Sequence, residues 1–429
     1  MKNFSSKFST ARDLDRRDPL RSFRDRFVID DPQLIYLDGN SLGRLPKSTA
    51  GHLDKAVKEE WGKRLIRGWN EGWFELPQKL GAKIARIIGA RPDEVLVCDS
   101  TSINLFKLTA AALRARPELK SIISDSMNFP SDLYIFQGVV DLLGDHHQLQ
   151  LIPSKDGLTI NTSLLQSTIQ AKPTLTALTH VSFKSGFMYD MKKITRLVHQ
   201  AGGVSLWDLS HSAGAVPLQL NRWEVDLAVG CTYKYLNGGP GSPAFLYVRK
   251  DLQEELIPPL WGWIGTKNPF EFNLDFEPAE GINRFNVSTP QVLSMQGIDP
   301  ALDIILEAGI DRIREKSTQQ TSYLLFLFQE WLEPLGCQLG SPLDPEQRGS
   351  QVSIRHPEAY RICQALINPV PAENQPRVIP DFRTPDNIRL GIAPLYTSYS
   401  DIFRALKRMR SIISQKTYTS FPLKRQQVT

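Results

Sequence analysis

Between residues 80 and 250 the chain repeats one pattern, in which short β-rich runs are separated by stretches with helical periodicity. The runs are EVLVCD (94–99), SIISD (121–125), LQLIP (149–153), TALTHVSF (176–183), GVSLWDLS (203–210), DLAVGC (226–231) and AFLYVR (244–249). Several are nearly continuous in apolar residues rather than alternating, as expected for strands covered on both faces. Strands separated by helices imply βαβ units and a mostly parallel sheet. After about residue 290 the texture changes. A long helical region (291–333) precedes a mixed part with VSIRH (352–356) and NIRLGIA (387–393) as strands. The chain is therefore expected to be α/β, with a large domain over 51–295 and a smaller α+β domain over 296–429. Residues 1–50 are expected to join the small domain, carrying a short surface helix and a strand that breaks into a turn at LIYLDGNSLGRLP (34–46). The polar, basic end TSFPLKRQQVT (419–429) is expected to fray.

Composition removes several functions. The chain has 429 residues, 41% hydrophobic and 23% charged, with a formal net charge of +5. That modest excess is spread along the chain and does not argue for nucleic acid. No run approaches the roughly 18–20 apolar residues needed to span a bilayer, and the charged N-terminus has no apolar stretch to serve as a signal peptide. Cys98, Cys231, Cys337 and Cys363 are far apart and form no C-x-x-C pair. Neither a disulfide framework nor a thiolate metal site is indicated, which fits a reducing cytoplasm. No metal site and no membrane or nucleic-acid partner is expected.

In open α/β sheets, ligands bind at the carboxyl ends of the strands. Four segments there carry candidate chemistry. In CDSTSINLF (98–106), Thr101 and Ser102 open a helix whose free N–H groups suit a phosphate, although such clusters usually only cap. In WDLSHSAGAVPL (207–218), Asp208 ends an apolar strand with His211 three residues on. A buried carboxylate there needs a cationic partner, either a protonated ring nitrogen or a structural salt bridge. In GCTYKYLNGGPGSPAFLYV (230–248), Lys234 follows a strand and precedes a glycine-rich turn. An enclosed lysine can form a Schiff base with a carbonyl. It lies 26 residues after Asp208, a spacing that admits one helix and one returning strand and lets the two side chains meet. In NIRLGIAPLY (387–396), Arg389 offers a planar fork for an amino-acid carboxylate, or for an ordinary ion pair.

Together these segments resemble the fold-type-I pyridoxal-phosphate enzymes, in the class V aminotransferase branch. Within that branch the motifs YLDGNSLGRLP, STSINLF, NFPSDLY, WDLSHSAGAVPL, TYKYLNGGPGSPAFLYV, WGW, STPQVLS and IRLGIAPLY resemble the kynureninases over nearly the full length. The resemblance implies pyridoxal 5'-phosphate held by Lys234, with Asp208 beside its ring nitrogen. It places Phe129 on the ring face, Pro130, Ser131 and Asp132 in the same motif at the cofactor, and Thr101 and Ser102 at the phosphate with Tyr233. Thr179, His211 and Trp263 would contact the cofactor, and Thr289 would reach the phosphate from a partner subunit, implying a homodimer with shared active sites. Arg389 would bind the substrate carboxylate.

The implied reaction is hydrolysis of kynurenine to anthranilate and L-alanine, with Lys234 as base and Tyr233 handling a later proton. Trp69 would favour kynurenine over its 3-hydroxy form, or simply pack. Trp261, Trp263 and Phe270 would wall in the aniline ring, or be core. A cysteine desulfurase or an aminotransferase of the same branch would share Lys234 and Asp208. A nucleotide-binding dehydrogenase is disfavoured because no G-x-G-x-x-G opens a helix after the first strand. A non-catalytic homologue is disfavoured by the intact set of Lys234, Asp208, Tyr233 and Arg389.

Overall fold

The computed structural model describes residues 4–144, 146–369 and 375–424. Its strands are β1 (Leu34–Tyr36), β2 (Val95–Val97), β3 (Ser121–Asp125), β4 (Gln148–Ile152), β5 (Leu175–Thr179), β6 (Val204–Asp208), β7 (Leu227–Gly230), β8 (Phe245–Val248), β9 (Gln338–Leu339), β10 (Gln351–Arg355), β11 (Arg377–Ile379), β12 (Asp381–Arg383) and β13 (Asn387–Gly391). All seven apolar runs of the 80–250 region become strands of one sheet, ordered β2-β8-β7-β6-β5-β3-β4. β3 to β7 run parallel, and only β8 is reversed, antiparallel to both β7 and β2.

This sheet is buried on both faces, which explains the unbroken apolar runs. On one face Val95, Val97, Ile123, Leu178, Trp207, Phe245 and Tyr247 pack with the helix Leu76–Ile88 and the helix Ile298–Ala308. On the other, Leu96, Ile122, Ala177, Leu206, Leu246 and Val248 pack with the helices Thr101–Ala115 and Pro130–Leu143. Each fully buried Leu, Ile or Phe contributes about 1.5–3 kcal/mol to this arrangement.

A second sheet, β12-β13-β10-β9, is antiparallel, and β1 pairs in parallel with β11. Its own apolar cluster includes Ala11 from the helix Phe8–Arg17, Tyr323 to Phe328 from the helix Ile310–Trp331, and the helix Tyr399–Ser414. The expected 291–333 helix is broken in three, at Gln296–Gly297 and at Gly309, whose φ of +79° no ordinary residue adopts cheaply.

Two expectations are corrected. No helix separates Asp208 from Lys234. Residues 209–226 form a chain of turns and irregular structure, largely buried, that folds back at Gly214 (φ +82°). A Cβ at Gly214 would lie 3.1 Å from the Tyr235 carbonyl oxygen, so the returning segment packs directly on the lysine loop. The chain end up to residue 424 is docked rather than frayed. Arg361 donates to the carbonyls of Thr419 and Phe421, and Tyr418 is buried. Residues 425–429 of that segment lie outside the described residues. Among the described residues, no helix is long and apolar enough to cross a membrane.

Candidate active site

Parallel strands bring their carboxyl ends to one edge, and the candidate segments emerge there. β2 leads to Ser100–Ser102, β3 to the 128–132 loop, β5 ends at Thr179, β6 at Asp208, and β7 leads to Tyr233 and Lys234. Thr179 and Asp208 are paired neighbours across the ladder. A cavity of about 330 Å³ opens at this edge, and Thr101, Ser102, Phe129, Ser131, Asp132, Thr179, Asp208, His211, Tyr233, Lys234 and Arg389 all line it.

At one end two helices start side by side. The helix Thr101–Ala115 is capped by Ser100, whose hydroxyl accepts from the Ile103 N–H at 3.4 Å. The helix Pro130–Leu143 begins with proline, which has no N–H to leave unsatisfied. Ser102 Oγ and Ser131 Oγ, each in the first turn, lie 3.0 Å apart. Two positive helix ends and two hydroxyls make a site for an anion.

In the middle, Asp208 and Asp132 are both buried. Asp208 accepts from the Ser210 N–H at 2.7 Å. Burial pushes both carboxyls up, and the Asp208 charge raises Asp132 further. Lys234 Nζ lies 3.1 Å from His211 Nε2. Burial, then the Lys234 charge, holds His211 well below its ordinary value, so its ring is neutral. With Nε2 accepting, Nδ1 carries the hydrogen. That buried nitrogen lies near Gln351 yet has no partner of hydrogen-bond geometry. Phe129 is 40% exposed over the opening, edge-on to Phe183 at 5.1 Å. Tyr233 is partly buried, which raises its phenol above the ordinary value.

The far wall comes from the small sheet. Arg389 on β13 is 1% exposed and donates to the Phe183 carbonyl and to Ser41 Oγ, each at 2.6 Å. The DGNSLG turn lies against this strand. Gly391 donates to the Leu37 carbonyl at 2.6 Å, and Gly43 donates to the Tyr233 carbonyl at 2.8 Å, tying the arginine strand to the lysine loop. A Cβ at Gly391 would meet Asn40 at 1.9 Å, so this contact requires glycine.

Four expected site residues lie elsewhere in the single chain. Pro130 starts its helix without lining the cavity. Thr289 lines a separate apolar hollow of about 470 Å³ with Trp61, Trp69 and Trp73. Trp69 contacts Phe74 at 4.9 Å, Phe74 contacts Phe270 at 5.6 Å, and Phe270 contacts Trp263 at 5.8 Å. Trp261 stacks on Phe276 at 4.9 Å. Trp61, Trp261, Trp263 and Phe270 are all exposed. Conversely, Asn40, Ser41, Phe183, Ser210 and Arg383 line the cavity without having been singled out. The DGNS turn and the Asp-x-Arg strand opposite Arg389 were the available signals.

Residues 36–360 match the model of the class V aminotransferases, and residues 313–409 match that of the kynureninase C-terminal domain. A kynureninase of Burkholderia mallei (strain SAVP1) is 42% identical over 410 residues, covering 94% of this chain and 95% of its own. The chain belongs to the kynureninase family. A kynureninase of Pseudomonas fluorescens is 39% identical over the same shares of the two chains. Solved structures with the same fold include a cysteine desulfurase of Thermococcus onnurineus NA1 (TM-score 0.75, 19% identity, 94% of this chain and 98% of that one). Another is a cysteine desulfurase of Escherichia coli (TM-score 0.75, 17% identity, 92% and 98%). At these identities the likeness speaks for the fold, the fold-type-I arrangement, and not for desulfuration.

As a member of the kynureninase family the chain is a pyridoxal-phosphate-dependent enzyme that hydrolyses a carbon–carbon bond. The cavity suits that cofactor chemically. Paired helix ends with hydroxyls match a phosphate, and a buried carboxylate pair matches a protonated ring nitrogen. The unpartnered His211 Nδ1 offers a hydrogen bond, and Lys234 is a primary amine within the same space.

Proposed function

We propose that the chain hydrolyses L-kynurenine, and 3-hydroxy-L-kynurenine, to L-alanine and anthranilate or 3-hydroxyanthranilate. The observation that carries this reading is one cavity in which a lysine, a buried carboxylate pair, an anion-binding helix pair and an arginine meet. When bound, pyridoxal phosphate supplies an electron sink for charge left on the substrate's α-carbon.

The chain's own residues do the rest. Thr101, Ser102 and Ser131, with Tyr233, would hold the phosphate, and Phe129 would lie beside the ring. Asp208 keeps the proton on the ring nitrogen, because an anion in so buried a place stabilises a neighbouring cation strongly. Arg389 and its neighbours hold the substrate carboxylate, which fixes the orientation of the Cα–H bond. Lys234 takes the Cα proton and returns it on the far side of the reaction, and neutral His211 accepts from it between these steps. Tyr233 gives or receives the proton when the bond beside the γ-carbonyl breaks. Phe129 and Phe183 narrow the opening and limit water to what the hydrolysis consumes.

A homodimer with shared active sites is part of the proposal. The exposed aromatic face that carries Trp69, Trp263 and Thr289 lies outside the Lys234 cavity of its own chain, which suits a face that completes the partner's site. Trp69 there would favour kynurenine over the 3-hydroxy compound. A place in the cytoplasm, in tryptophan breakdown or NAD biosynthesis, accords with this chemistry. The test is to purify the protein, record its visible spectrum and follow anthranilate fluorescence on adding L-kynurenine. A cofactor band that Lys234→Ala abolishes, with anthranilate formed by the wild type, is expected. A band without anthranilate or 3-hydroxyanthranilate would sink the substrate assignment.

A further inference from the structure

Arg389 is the natural carboxylate ligand by sequence, yet its fork is already occupied. A guanidinium has five N–H groups, and a two-point grip on a carboxylate needs two adjacent ones. Both Nη2 hydrogens are spoken for, one by Asp381 Oδ2 at 2.6 Å and one by Ser41 Oγ at 2.6 Å. Nη1 donates to the Phe183 carbonyl, and Nε lies 3.1 Å from the Asn40 amide. No adjacent pair is left unless Asp381 or Ser41 lets go.

A second guanidinium stands beside it. β12 and β13 pair so that Asp381 lies directly opposite Arg389. Strand residues two apart share a face, so Arg383 projects to the same side as Asp381. Arg383 Nε donates to Asp381 Oδ2 at 2.7 Å, the oxygen that also holds Arg389. One carboxylate oxygen therefore anchors both arginines. Beyond that bond, the Nη groups of Arg383 have no hydrogen-bond partner among the described residues, its side chain is 36% exposed, and it lines the Lys234 cavity.

We infer that Arg383 is a substrate-binding residue: it supplies the open fork for the α-carboxylate of the amino-acid substrate, while Arg389 contributes a single N–H from behind. Asp381 is the positioning residue that sets the spacing of the two. This rests on the cavity being the kynurenine site.

The experiment is a spectral titration of the cofactor-loaded enzyme with L-alanine and with L-alaninamide, which lacks the carboxylate charge. In Arg383→Gln, alanine should bind about ten- to a hundredfold more weakly, the size of a lost charged hydrogen-bond pair. Alaninamide should change by less than about twofold on the same scale. Arg383→Lys should recover part of the loss. For kynurenine turnover, kcat/KM should fall in Arg383→Gln, with the rise in KM larger than the fall in kcat. Equal weakening of both ligands would show a merely structural arginine and overturn the inference, as would no weakening of either. A wild type whose cofactor band ignores both ligands would instead overturn the reading of the cavity, and the inference with it.

Discussion

The Lys234 cavity and the exposed aromatic face are built in opposite ways. In the cavity, polar groups are buried and bound. Asp132, Asp208 and His211 are each less than a tenth exposed, and Asp208, Lys234 and Arg389 each have a named partner. On the aromatic face, large apolar side chains stand in the open, with Trp61 55%, Ile66 77% and Phe272 75% exposed. The segment beneath them is an unusual π-helical turn over Ala56–Arg64, followed by Leu65 at φ +54°. A face like this has a cost in water and calls for cover, whereas the polar groups of the cavity are already held by partners within their own chain. The contrast assigns the two regions different dependences: the first on ligand and pH, the second on protein concentration.

The largest effect expected is at the cavity. Lys234→Ala should lower kynurenine turnover by on the order of 10²–10⁴-fold or more, with the sedimentation of the protein unchanged. Next comes the aromatic face. Trp61→Asp places a charge where cover is expected, and should raise the dimer dissociation constant about 100-fold, read by analytical ultracentrifugation. Activity should then fall on dilution and return at high protein concentration. If the variant and the wild type sediment alike as monomers, the face is not a dimer surface and the contrast loses half its meaning.

A third test concerns pH. Asp125, buried behind the 128–132 loop, accepts from Tyr189 Oη at 2.9 Å and from the Met127 N–H at 2.7 Å. Burial pushes its carboxyl up to about 6. A carboxyl raised in the folded state contributes stability that is fully present below its unfolded value near 4 and is lost as pH rises through about 6. Relative to Asp125→Asn, the wild type should therefore lose up to about 3 kcal/mol between pH 4 and pH 7, read as the difference in urea midpoints. A constant difference across that range would remove Asp125 as a titrating group. The smallest effect lies far from both regions. Arg361→Ala should cost about 1 kcal/mol and speed amide exchange near Tyr418, because the chain end loses its two carbonyl bonds.

The large sheet and the Lys234–Asp208 pairing were legible because burial on both faces writes itself into residue choice. Runs such as LAVG and VSLWD admit few other structures. The turns over 209–226 were not legible, because Ser210, Ser212, Ala213 and Ala215 are good helix or turn residues alike, and only the close pack against Tyr235 decides. Arg383 was hidden for a related reason. PDFRTPDN carries no motif of its own, and only the register opposite Arg389 turns its alternate face toward the cavity. The motifs around Trp69, Trp263 and Thr289 mark them as site residues, but which copy of the chain they serve is a matter of assembly that no single chain encodes locally.

The position of β8 has a consequence for how the molecule is made. β2 is at the sheet edge, and its one partner, β8, lies about 150 residues downstream. A chain emerging from a ribosome thus cannot close the Ser100–Ser102 corner until residue 248 is out, and non-local pairing of this kind is slow to nucleate. The carboxylate wall waits longer still, because Asp38 to Ser41 must meet β13 at the other end of the chain. Order of synthesis therefore separates the two halves of the site in time: the Lys234 edge of the large sheet can form well before the Arg389 wall closes on it.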